Sequence, residues 1–378
     1  MLAVVLVSGG SVSAIALWQL AHTVSTNALD ISNGHTAAPS SPKMGSLEGG
    51  FNVLVAGVDN SLGQAKAFGH RDSTLNDVNM LLHISADHMN GVVLSLPRDL
   101  VIPQPTCTNP DTGTVSSAVS AQPINTAFGR GGLGCVVATV QELTGLTISY
   151  AGLISFKGTV AMADAVGGVP ICLSDPIDDP LSGLDLPAGT SVVSGKEALS
   201  YLRSRHGVGD GSDLARISSQ QAYMSSLMRV MKSSATLNDV PKLVNLANAA
   251  AANVRLSTSL AGIPTMVGMA LALKDVSLDH LVFVQYPTGE DPYNKNKVVP
   301  SPALAEQLLA KITSDQPFGL DAQALGRGAE LEEDAPAAMP TPPAPTTSPS
   351  ETAATPEVIA GLKGQTANQQ TCSVASRR

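Results

Sequence analysis

The chain has little charge and few aromatic side chains. Its 378 residues are 14% charged and 3% aromatic, and the formal net charge is −9. Proteins that bind nucleic acid use basic surfaces and stacking aromatic rings, so both shortages argue against a nucleic-acid partner. The sequence also lacks a Walker A motif, an H-E-x-x-H motif and a G-x-S-x-G motif. It therefore shows no signature of a phosphate-binding loop, a zinc protease or a serine hydrolase.

Cysteine is scarce too, and none of the cysteines forms a C-x-x-C pair. The four are Cys107, Cys135, Cys172 and Cys372. This spacing does not indicate a zinc ribbon or a thioredoxin-type site, whereas an even count in an exported protein favours disulfides. Three pairings are possible, and Cys107 with Cys135 is favoured because it closes the shortest loop. Cys172, inside the apolar segment VPICLS, is alternatively a buried small hydrophobic residue.

The N-terminus is the longest stretch without charge. Residues 2–24 contain no Asp, Glu, Lys or Arg, and they are long enough to cross a hydrocarbon layer of about 30 Å. They predict a transmembrane anchor over residues 1–26. No basic residue precedes this stretch, so the positive-inside rule does not orient it, and one interpretation places the natural start upstream. A cleaved signal peptide is the alternative; both interpretations export the rest of the chain.

The remaining sequence divides by composition. Residues 27–49 form a polar spacer, and residues 50–325 alternate strand-like and helix-like segments, which predicts an α/β domain whose sheet lies between helical layers. Residues 326–356 are rich in Ala, Pro and Thr and are predicted to be a disordered linker. Residues 357–378 form a short C-terminal tail whose structure the sequence does not indicate.

Charged residues lie at the predicted strand ends. Asp59 ends the first strand, Asp77 enters the second, and Arg98 and Asp99 end the third. Ligands of open α/β sheets bind where strand ends meet loops. Carboxylates beside an arginine suggest a divalent cation and an anion held together, because Mg²⁺ prefers one or two carboxylates plus phosphate oxygens. Each aspartate alone is typical of a turn or a helix cap.

Three of the eleven arginines fall in one short segment, as Arg203, Arg205 and Arg216. The sequence predicts helices over about residues 195–203 and 212–234. On the second helix, Asp213, Arg216 and Gln220 share one face because their spacing is i, i+3, i+7. The planar guanidinium group of arginine suits phosphate. The alternative is that Asp213 caps the helix and pairs with Arg216 while the other arginines are solvated.

Glycine and histidine give weaker signals. The glycines of GVGDGSD are predicted to let this loop approach a ligand closely. GRGGLG, residues 129–134, matches G-x-G-x-x-G, but no clear strand precedes it and no acidic residue follows about 20 positions later, so a dinucleotide site is rejected. His83 is predicted to be a buried, hydrogen-bonded histidine, and His206 is a weaker candidate for a phosphate contact.

Eight segments in order resemble the LytR-CpsA-Psr (LCP) family of cell-wall glycopolymer ligases, in its actinobacterial type. They are VAGVD, LNDVNMLLHIS, VVLSLPRDL, PINTAFGRGG, VQELTGL, FKGTVAMADAVGGVPICLSDPIDD, LDLPAGTSVVSGKEALSYLRSRH and DLARISSQQ. The similarity covers residues 50–235 well. It implies an LCP-like α/β fold with a central, mostly mixed β-sheet between helical layers.

The resemblance also implies a function. LCP proteins transfer a glycopolymer from a polyprenyl-pyrophosphate carrier to peptidoglycan outside the cell membrane, as phosphotransferases. It implies a single-pass membrane protein with an extracellular catalytic domain, and as partners a polyprenyl-pyrophosphate-linked glycopolymer, peptidoglycan and the membrane. A lipid pyrophosphatase and a non-enzymatic cell-wall or lipid binding protein are the alternatives.

Residue by residue, the resemblance assigns three groups. Asp59 and Asp77 match the metal ligands, for Mg²⁺ or Mn²⁺. The pyrophosphate-binding residues are Arg98, Arg203, Arg205, Arg216 and Gln220, to which the loop residue Arg71 is added. The catalytic residues are Arg98, Asp99, Asp213 and Arg216, and Asp99 is either a base or the residue that orients Arg98. The sequence departs from the family pattern at three places. Asn60 and Ser219 stand where the family often has arginine, and Leu75, Asn76, Asp77 and Val78 stand where it commonly has R-S-D-T. Arg71 is predicted to replace a missing arginine. Asp72 is a rival of Asp77 for the metal.

A lipid carrier needs an apolar slot. Three predicted helices, with the segments YMSSLMRVM, VNLANAAAANV and GIPTMVGMALAL, are rich in Met, Leu and Ala. Methionine suits adaptable surfaces, so some of these residues are predicted to line a prenyl tunnel. An ordinary core is the alternative for any one of them.

Overall fold

The structure is a computed structural model that describes residues 22–33, 47–59, 74–321, 324–332 and 356–376. Most of the predicted anchor, with Asn60, Arg71 and Asp72, lies outside the described residues. Across the described ranges, no helix combines the length and the apolar character needed to span a membrane.

The strands and helices follow in chain order. The strands are β1 (Phe51–Val58), β2 (Asn76–Ile84), β3 (Gly91–Leu96), β4 (Val101–Gln104), β5 (Cys107–Thr108), β6 (Val115–Ser116), β7 (Val119–Pro123), β8 (Tyr150–Ser155), β9 (Val169–Leu173), β10 (Ile177–Asp179), β11 (Leu184–Leu186), β12 (Gly189–Val193), β13 (Val254–Leu256), β14 (Leu281–Gln285), β15 (Thr288–Asp291), β16 (Asn294–Pro300), β17 (Phe318–Leu320), β18 (Ala329–Leu331), β19 (Glu357–Ile359), β20 (Gly364–Thr366) and β21 (Thr371–Ser373). The helices are α1 (Ala127–Thr144), α2 (Phe156–Val166), α3 (Gly195–Arg203), α4 (Asp213–Lys232), α5 (Ser234–Leu237), α6 (Val240–Asn253), α7 (Ile263–Asp275) and α8 (Pro302–Thr313).

A seven-stranded sheet forms the centre, in the order β13-β8-β1-β2-β3-β14-β20. Strand β1 pairs antiparallel with β2 and parallel with β8, and β3 pairs parallel with β14. The sheet is therefore mixed, which confirms the predicted fold class. Strand β3 is buried along its whole length, as an unbroken apolar run in the middle of a covered sheet requires.

Helices cover both faces of this sheet. Helices α1 and α8 contribute Val136, Val140 and Leu308 to one core cluster, which includes Leu54 and Leu94 of the sheet. On the other face, α7 packs in a second cluster with β1 and β14. The predicted arrangement of a sheet between helical layers is thus present, and loops at the sheet edge remain open to carry a site.

A smaller sheet, β12-β9-β21-β18, lies beside α4. Its core cluster joins α2, α3 and α4 through residues that include Ile171, Tyr201 and Tyr223. Helix α3 occupies Gly195–Arg203, the range predicted from the sequence. The two helices that supply the candidate arginines are therefore packed on this second core rather than on the central sheet alone.

The C-terminal residues return to both sheets. Strand β20 pairs with β14 and β21 pairs parallel with β9, although the sequence indicated only a short tail. The linker predicted from residue 326 begins with β18, which pairs with β21, and residues 333–355 lie outside the described residues. The predicted domain boundaries stay predictions, but residues 356–376 belong to the same folded unit as the strands they pair with.

Two disulfides close loops of very different length. Cys107 bonds Cys135 across 28 residues, as predicted, and Cys172 bonds Cys372 across 200. The alternative interpretation of Cys172 as a free buried hydrophobe is wrong. The G-x-G-x-x-G match lies at the kinked start of α1, where a Cβ on Gly131 would lie 2.8 Å from that of Cys107. Gly131 therefore makes room for the first disulfide.

Candidate active site

A bulge between β1 and β2 separates Asp77 from the regular ladder. Gly57 faces Val78, but the next residue of β1, Val58, faces Asn76. Asp77 is therefore the extra residue of the bulge, a feature that re-aims a side chain. The Asn76 side chain anchors the bulge, since Nδ2 donates to Asn79 Oδ1 at 2.7 Å. The Asp77 side chain can thus point toward the end of β3 rather than into the core.

Arg98 links Asp77 to the helical layer. Its Nη1 donates to Asp77 Oδ1 at 2.9 Å, and its backbone N–H donates to Asp213 Oδ2 at 3.2 Å. Burial is the largest single effect on the pKa of Arg98 and lowers it, but Asp77, Asp213 and Asp99 together outweigh burial and raise the pKa. The guanidinium therefore stays charged at any physiological pH.

Helix α4 supplies Asp213 and Arg216 from its first turn. Ser212 is the N-cap, because its side chain accepts the Ala215 N–H at 3.2 Å, so Asp213 is free of the capping role considered above. Asp213 Oδ1 lies 2.5 Å from Arg216 Nη2, which also donates to the backbone oxygen of Asp77 at 3.2 Å. Arg216 is only 5% exposed. The pair thus ties α4 to β2 and to Arg98.

The segment with Arg203 and Arg205 is held by Asp179. Its Oδ2 accepts the Ser204 hydroxyl at 2.7 Å and the Arg205 backbone N–H at 3.3 Å. Hydrogen bonds from Ser204 and Ser182 outweigh the effect of burial and hold the pKa of Asp179 below its usual value. An ionised Asp179 therefore fixes the loop from which Arg205 projects.

Two further contacts orient Arg203. Its guanidinium carbon lies 4.5 Å above the Phe156 ring, a cation–π arrangement. Gln220 Nε2 donates to the Leu202 backbone oxygen at 2.9 Å. Gln220 therefore acts on the end of α3, as a positioning residue for the arginine segment.

These elements enclose a cavity of about 220 Å³. Four arginines, two aspartates and His206 line this cavity. The charged residues of the lining are Arg98, Arg203, Arg205, Arg216, Asp77 and Asp179. Asp213 and Asp99 contact Arg98 and Arg216 from outside this lining and neutralise part of the excess positive charge. The lining itself still has more cations than carboxylates, in a protein whose net charge is −9, which favours an anion there.

Three of the guanidinium groups have an unused donor. Among the described residues, the buried Nε atoms of Arg98, Arg205 and Arg216 make no hydrogen bond, although oxygens of Asp99 and Asp213 lie 3.5 and 3.7 Å from Arg98 Nε. Burial, and then the positive charges of Arg98 and Arg216, lower the pKa of Arg205 although Asp213 and Asp99 act in the opposite direction. Buried donors without acceptors are costly, so this cluster is arranged for an anion with several oxygen atoms.

Asp99 faces the opposite side of Arg98, toward a lysine from late in the chain. Lys297 Nζ lies 2.6 Å from Asp99 Oδ1, and Asp99 Oδ2 lies 3.5 Å from Arg98 Nε. Burial raises the pKa of Asp99, but the hydrogen bond from Lys297 and the charge of Arg98 hold it below its usual value. A carboxylate of low pKa is a weak base, so the geometry favours Asp99 as the residue that orients Arg98.

Comparison with known proteins identifies the family. The LytR_cpsA_psr family model matches residues 18–313. The chain belongs to the LytR_cpsA_psr family. The cell wall biosynthesis protein LcpA of Corynebacterium glutamicum is 34% identical over 203 residues, which are 49% of this chain and 38% of LcpA. This chain thus spans well under two thirds of that relative's length.

More distant members of the family cover more of the chain. The polyisoprenyl-teichoic acid–peptidoglycan teichoic acid transferase TagT of Bacillus subtilis is 23% identical over 296 residues, which are 76% of this chain and 85% of TagT. The LytR-Csp2A-Psr enzyme from Actinomyces oris has a similar structure, with a TM-score of 0.54, 21% identity, and coverage of 72% of this chain and 96% of the enzyme. This structural likeness shows the shared fold.

The structure brings most residues that the LytR_cpsA_psr resemblance selected to one place, but not all of them. Asp59 directly follows β1, is 4% exposed and accepts the Leu75 N–H at 3.0 Å. It is absent from the described residues that line the cavity. Arg71, and Asp72 as the rival of Asp77 for the metal, lie outside the described residues.

Two sequence-based expectations about this region are not supported by the packing. Gly207 and Gly209 approach the protein itself, since a Cβ on them would lie 2.7 Å from Ile177 and 2.6 Å from the Arg327 backbone oxygen. Behind the arginines, the cleft between Met80 and Ile217 holds only about 10 Å³. Met224, Met228 and Met266 pack against the core, which favours the alternative of an ordinary core for these three residues, and the prenyl tunnel stays a prediction.

Sequence reasoning missed the roles of Asp179 and Lys297. Asp179 was visible only as part of the motif DPIDD, which gives no hint that it binds backbone N–H groups 25 or more residues later. Lys297 lies 198 residues from Asp99 in a polar segment without periodicity, so no sequence signal could have joined the two. His83, by contrast, is 9% exposed and contacts Asn52 and Asp315 at 2.9 Å, as predicted for a buried, hydrogen-bonded histidine.

Proposed function

We propose that this protein transfers a glycopolymer from a polyprenyl-pyrophosphate carrier to peptidoglycan. The family and the names of its relatives support the general class, because LcpA is a cell wall biosynthesis protein and TagT a teichoic acid transferase. The observation that best supports it here is the set of four arginines, Arg98, Arg203, Arg205 and Arg216, that line one cavity. A pyrophosphate supplies the oxygen atoms and the negative charge that this group needs.

The proposed reaction is a displacement at phosphorus. An acceptor hydroxyl oxygen bonds to the phosphorus that bears the glycopolymer, the bond from this phosphorus to the bridging oxygen breaks, and polyprenyl phosphate leaves with that oxygen. The hydroxyl proton passes to the leaving polyprenyl phosphate as the new phosphodiester forms. Arg98, Arg205 and Arg216 stabilise the charge that develops on the leaving phosphate, since positioned cations are the main source of catalysis in such reactions.

The carboxylates fit a divalent cation in part. Asp77 lines the cavity and one of its oxygens accepts from Arg98, which leaves the other oxygen free to bind a cation. Asp59, which directly follows β1, would be the second carboxylate. A hard cation such as Mg²⁺ takes one or two carboxylates and completes its shell with phosphate oxygens. A cation bound by Asp77 and Asp59 would neutralise more of the negative charge of the pyrophosphate.

Asp213 and Asp99 act through the arginines. Asp213 contacts both Arg98 and Arg216, so it sets the distance between the two cations. Asp99 orients Arg98 from the other side. We propose that both are positioning residues, and that Gln220 has the same role for Arg203.

The location follows from the chemistry of the substrates. A polyprenyl carrier lies in the membrane and peptidoglycan outside it, so the domain is proposed to face the cell exterior. Two disulfides agree with an oxidising compartment. A single membrane-spanning anchor within residues 1–26 stays a prediction.

The proposed function is tested with a short prenyl-pyrophosphoryl saccharide, a peptidoglycan acceptor and Mg²⁺. We expect prenyl phosphate to be released only with the acceptor present, and the saccharide to become attached to it. Release without acceptor would mean hydrolysis, as in a lipid pyrophosphatase. Absence of release with Mg²⁺ and with Mn²⁺ would contradict the enzyme assignment.

A further inference from the structure

The β15–β16 hairpin reaches the site from outside the cavity. Val298 N–H donates to the Asp99 backbone oxygen at 3.2 Å, and Val298 forms an isolated bridge with Leu100. With the contact between Lys297 and Asp99 at 2.6 Å, three interactions fix the base of the hairpin beside Arg98. The rest of the hairpin, from Asn294 to Asn296, is exposed.

The outer part of this hairpin is exposed and carries a lysine. The pairing of β15 with β16 shifts register between Glu290 and Asp291, so Lys295 and Lys297 lie in a bulged stretch of β16. Lys295 is exposed, and a Cβ on Gly289 of the opposite strand would meet nothing within 4 Å. Glu290 of that strand is exposed too.

The tip of the hairpin presents an aromatic ring to solvent. Of the five tyrosines, Tyr150, Tyr201, Tyr223 and Tyr286 are at most 7% exposed, whereas Tyr293 is 96% exposed. A large exposed aromatic side chain beside a site is typical of a binding surface, because it gives much contact area at low entropic cost. The neighbouring Asn294 and Asn296 add hydrogen-bonding groups.

We propose that the β15–β16 hairpin binds the peptidoglycan acceptor, an inference that rests on the proposed function above. The apolar C–H face of a sugar ring packs on Tyr293, asparagine amides bond sugar hydroxyls, and Lys295 pairs with a carboxylate of the acceptor. Lys297 fixes the hairpin so that the bound glycan leads to Arg98.

The side of approach agrees with the reaction. In-line displacement needs the nucleophile and the leaving group on opposite sides of phosphorus. The arginine cavity extends from Arg98 toward Arg203 and Arg205, whereas the hairpin meets Asp99 and does not contribute to the described cavity lining. An acceptor on the hairpin therefore enters from the side that the cavity leaves open.

A membrane contact would also use an exposed tyrosine and lysines. The tip sequence DPYNKN, however, surrounds one ring with polar side chains and contains no aliphatic residue that could enter a lipid layer. The observations favour a glycan, and a lipid surface becomes an outcome of the test.

The test measures binding of a soluble, lipid-free muramyl tetrasaccharide with stem peptides to the full chain by titration calorimetry. We expect the dissociation constant to rise at least about tenfold in a Tyr293→Ala/Lys295→Ala double variant. A Val192→Ala/Lys274→Ala variant removes an exposed apolar residue and an exposed lysine elsewhere, and it should change the constant less than twofold. In the transfer assay, the first variant should raise KM for the acceptor more than it lowers kcat.

Three results would overturn the inference. The first is that the wild-type chain has no detectable affinity for the tetrasaccharide. The second is that both double variants lose the same amount of tetrasaccharide affinity. The third is that the Tyr293→Ala/Lys295→Ala variant keeps its tetrasaccharide affinity but no longer binds phosphatidylglycerol vesicles. Saccharide binding is measured without a donor, so its outcome is separate from a failure of the transfer reaction itself.

Discussion

At the scale of single residues, the site is a chain of alternating charges. Lys297, Asp99, Arg98, Asp213 and Arg216 follow one another, with neighbouring charged atoms between 2.5 and 3.7 Å apart. Each of these aspartates lies between two cations. Loss of Asp213 would leave Arg216 without its carboxylate contact, whereas loss of Lys297 would leave Asp99 with Arg98 alone. Such losses are larger than the net contribution of an intact pair.

The pKa of Asp99 gives a prediction about Lys297→Met. Burial alone raises this pKa, and Lys297 is the first of the groups that lower it, so the variant should titrate Asp99 at a higher pH. In the wild type, the stabilisation from ionised Asp99 is complete above about pH 4 and is lost as the pH falls through the lower folded-state pKa. In the variant, that loss should begin at higher pH.

Carbon NMR of the Asp99 carboxyl between pH 2 and 6 measures the shift, and urea unfolding over the same range measures the stability. Lys295→Met is the matched control, because Lys295 is an exposed residue of the same strand. An identical Asp99 titration in the wild type and Lys297→Met would show that the lysine does not act on this carboxylate.

At the scale of elements, the helices that carry the arginines depend on the C-terminal strand. The Tyr201 hydroxyl of α3 lies 2.5 Å from Ser373 Oγ of β21, which donates to Ser219 Oγ of α4 at 3.1 Å. Burial raises the pKa of Tyr201 to about 12, so this hydroxyl stays neutral and available for the contact. Ser219 thus binds the C-terminal strand at the position where a further arginine was considered from the family pattern.

The two disulfides should differ in their effect on stability. A crosslink restricts the unfolded chain more when its loop is longer, so the bond across 200 residues should contribute about 5 kcal/mol and the bond across 28 residues about 3.5 kcal/mol. We expect Cys172→Ser/Cys372→Ser to lower the free energy of unfolding more than Cys107→Ser/Cys135→Ser does. Denaturant titration of both variants measures the difference, and a larger loss in the second variant would contradict it.

Helices and strands were predictable from the sequence where the capping residue and the apolar spacing indicate the same element. The arginine-bearing helices were placed within two residues of their observed ends, because Ser212 caps α4 and apolar spacing marks both. The strands β20 and β21 were not predictable, since three residues such as GQT or TCS have no period. Their place depends on Cys172–Cys372 pairing, one of the alternatives that the sequence left open.

At the scale of the whole molecule, the fold brings together segments that are far apart in the sequence and that carry charges of opposite sign. The cavity combines β2 and β3 of the central sheet with α3 and α4 of the second core. The sequence could place Arg98 and Arg216 together only through the family pattern, because they lie on different cores. The long-range contact of Lys297 has no counterpart in that pattern.

The central claim is that this cavity binds pyrophosphate, and calorimetric titration of the full chain with inorganic pyrophosphate and Mg²⁺ tests it most directly. We predict one site in the wild type, since the net charge of −9 disfavours anion binding elsewhere. Arg205→Gln removes a charged hydrogen-bond donor and should weaken binding about tenfold or more, whereas Arg255→Gln, at an exposed arginine, should not. Equal affinities of the wild type and Arg205→Gln would contradict the account.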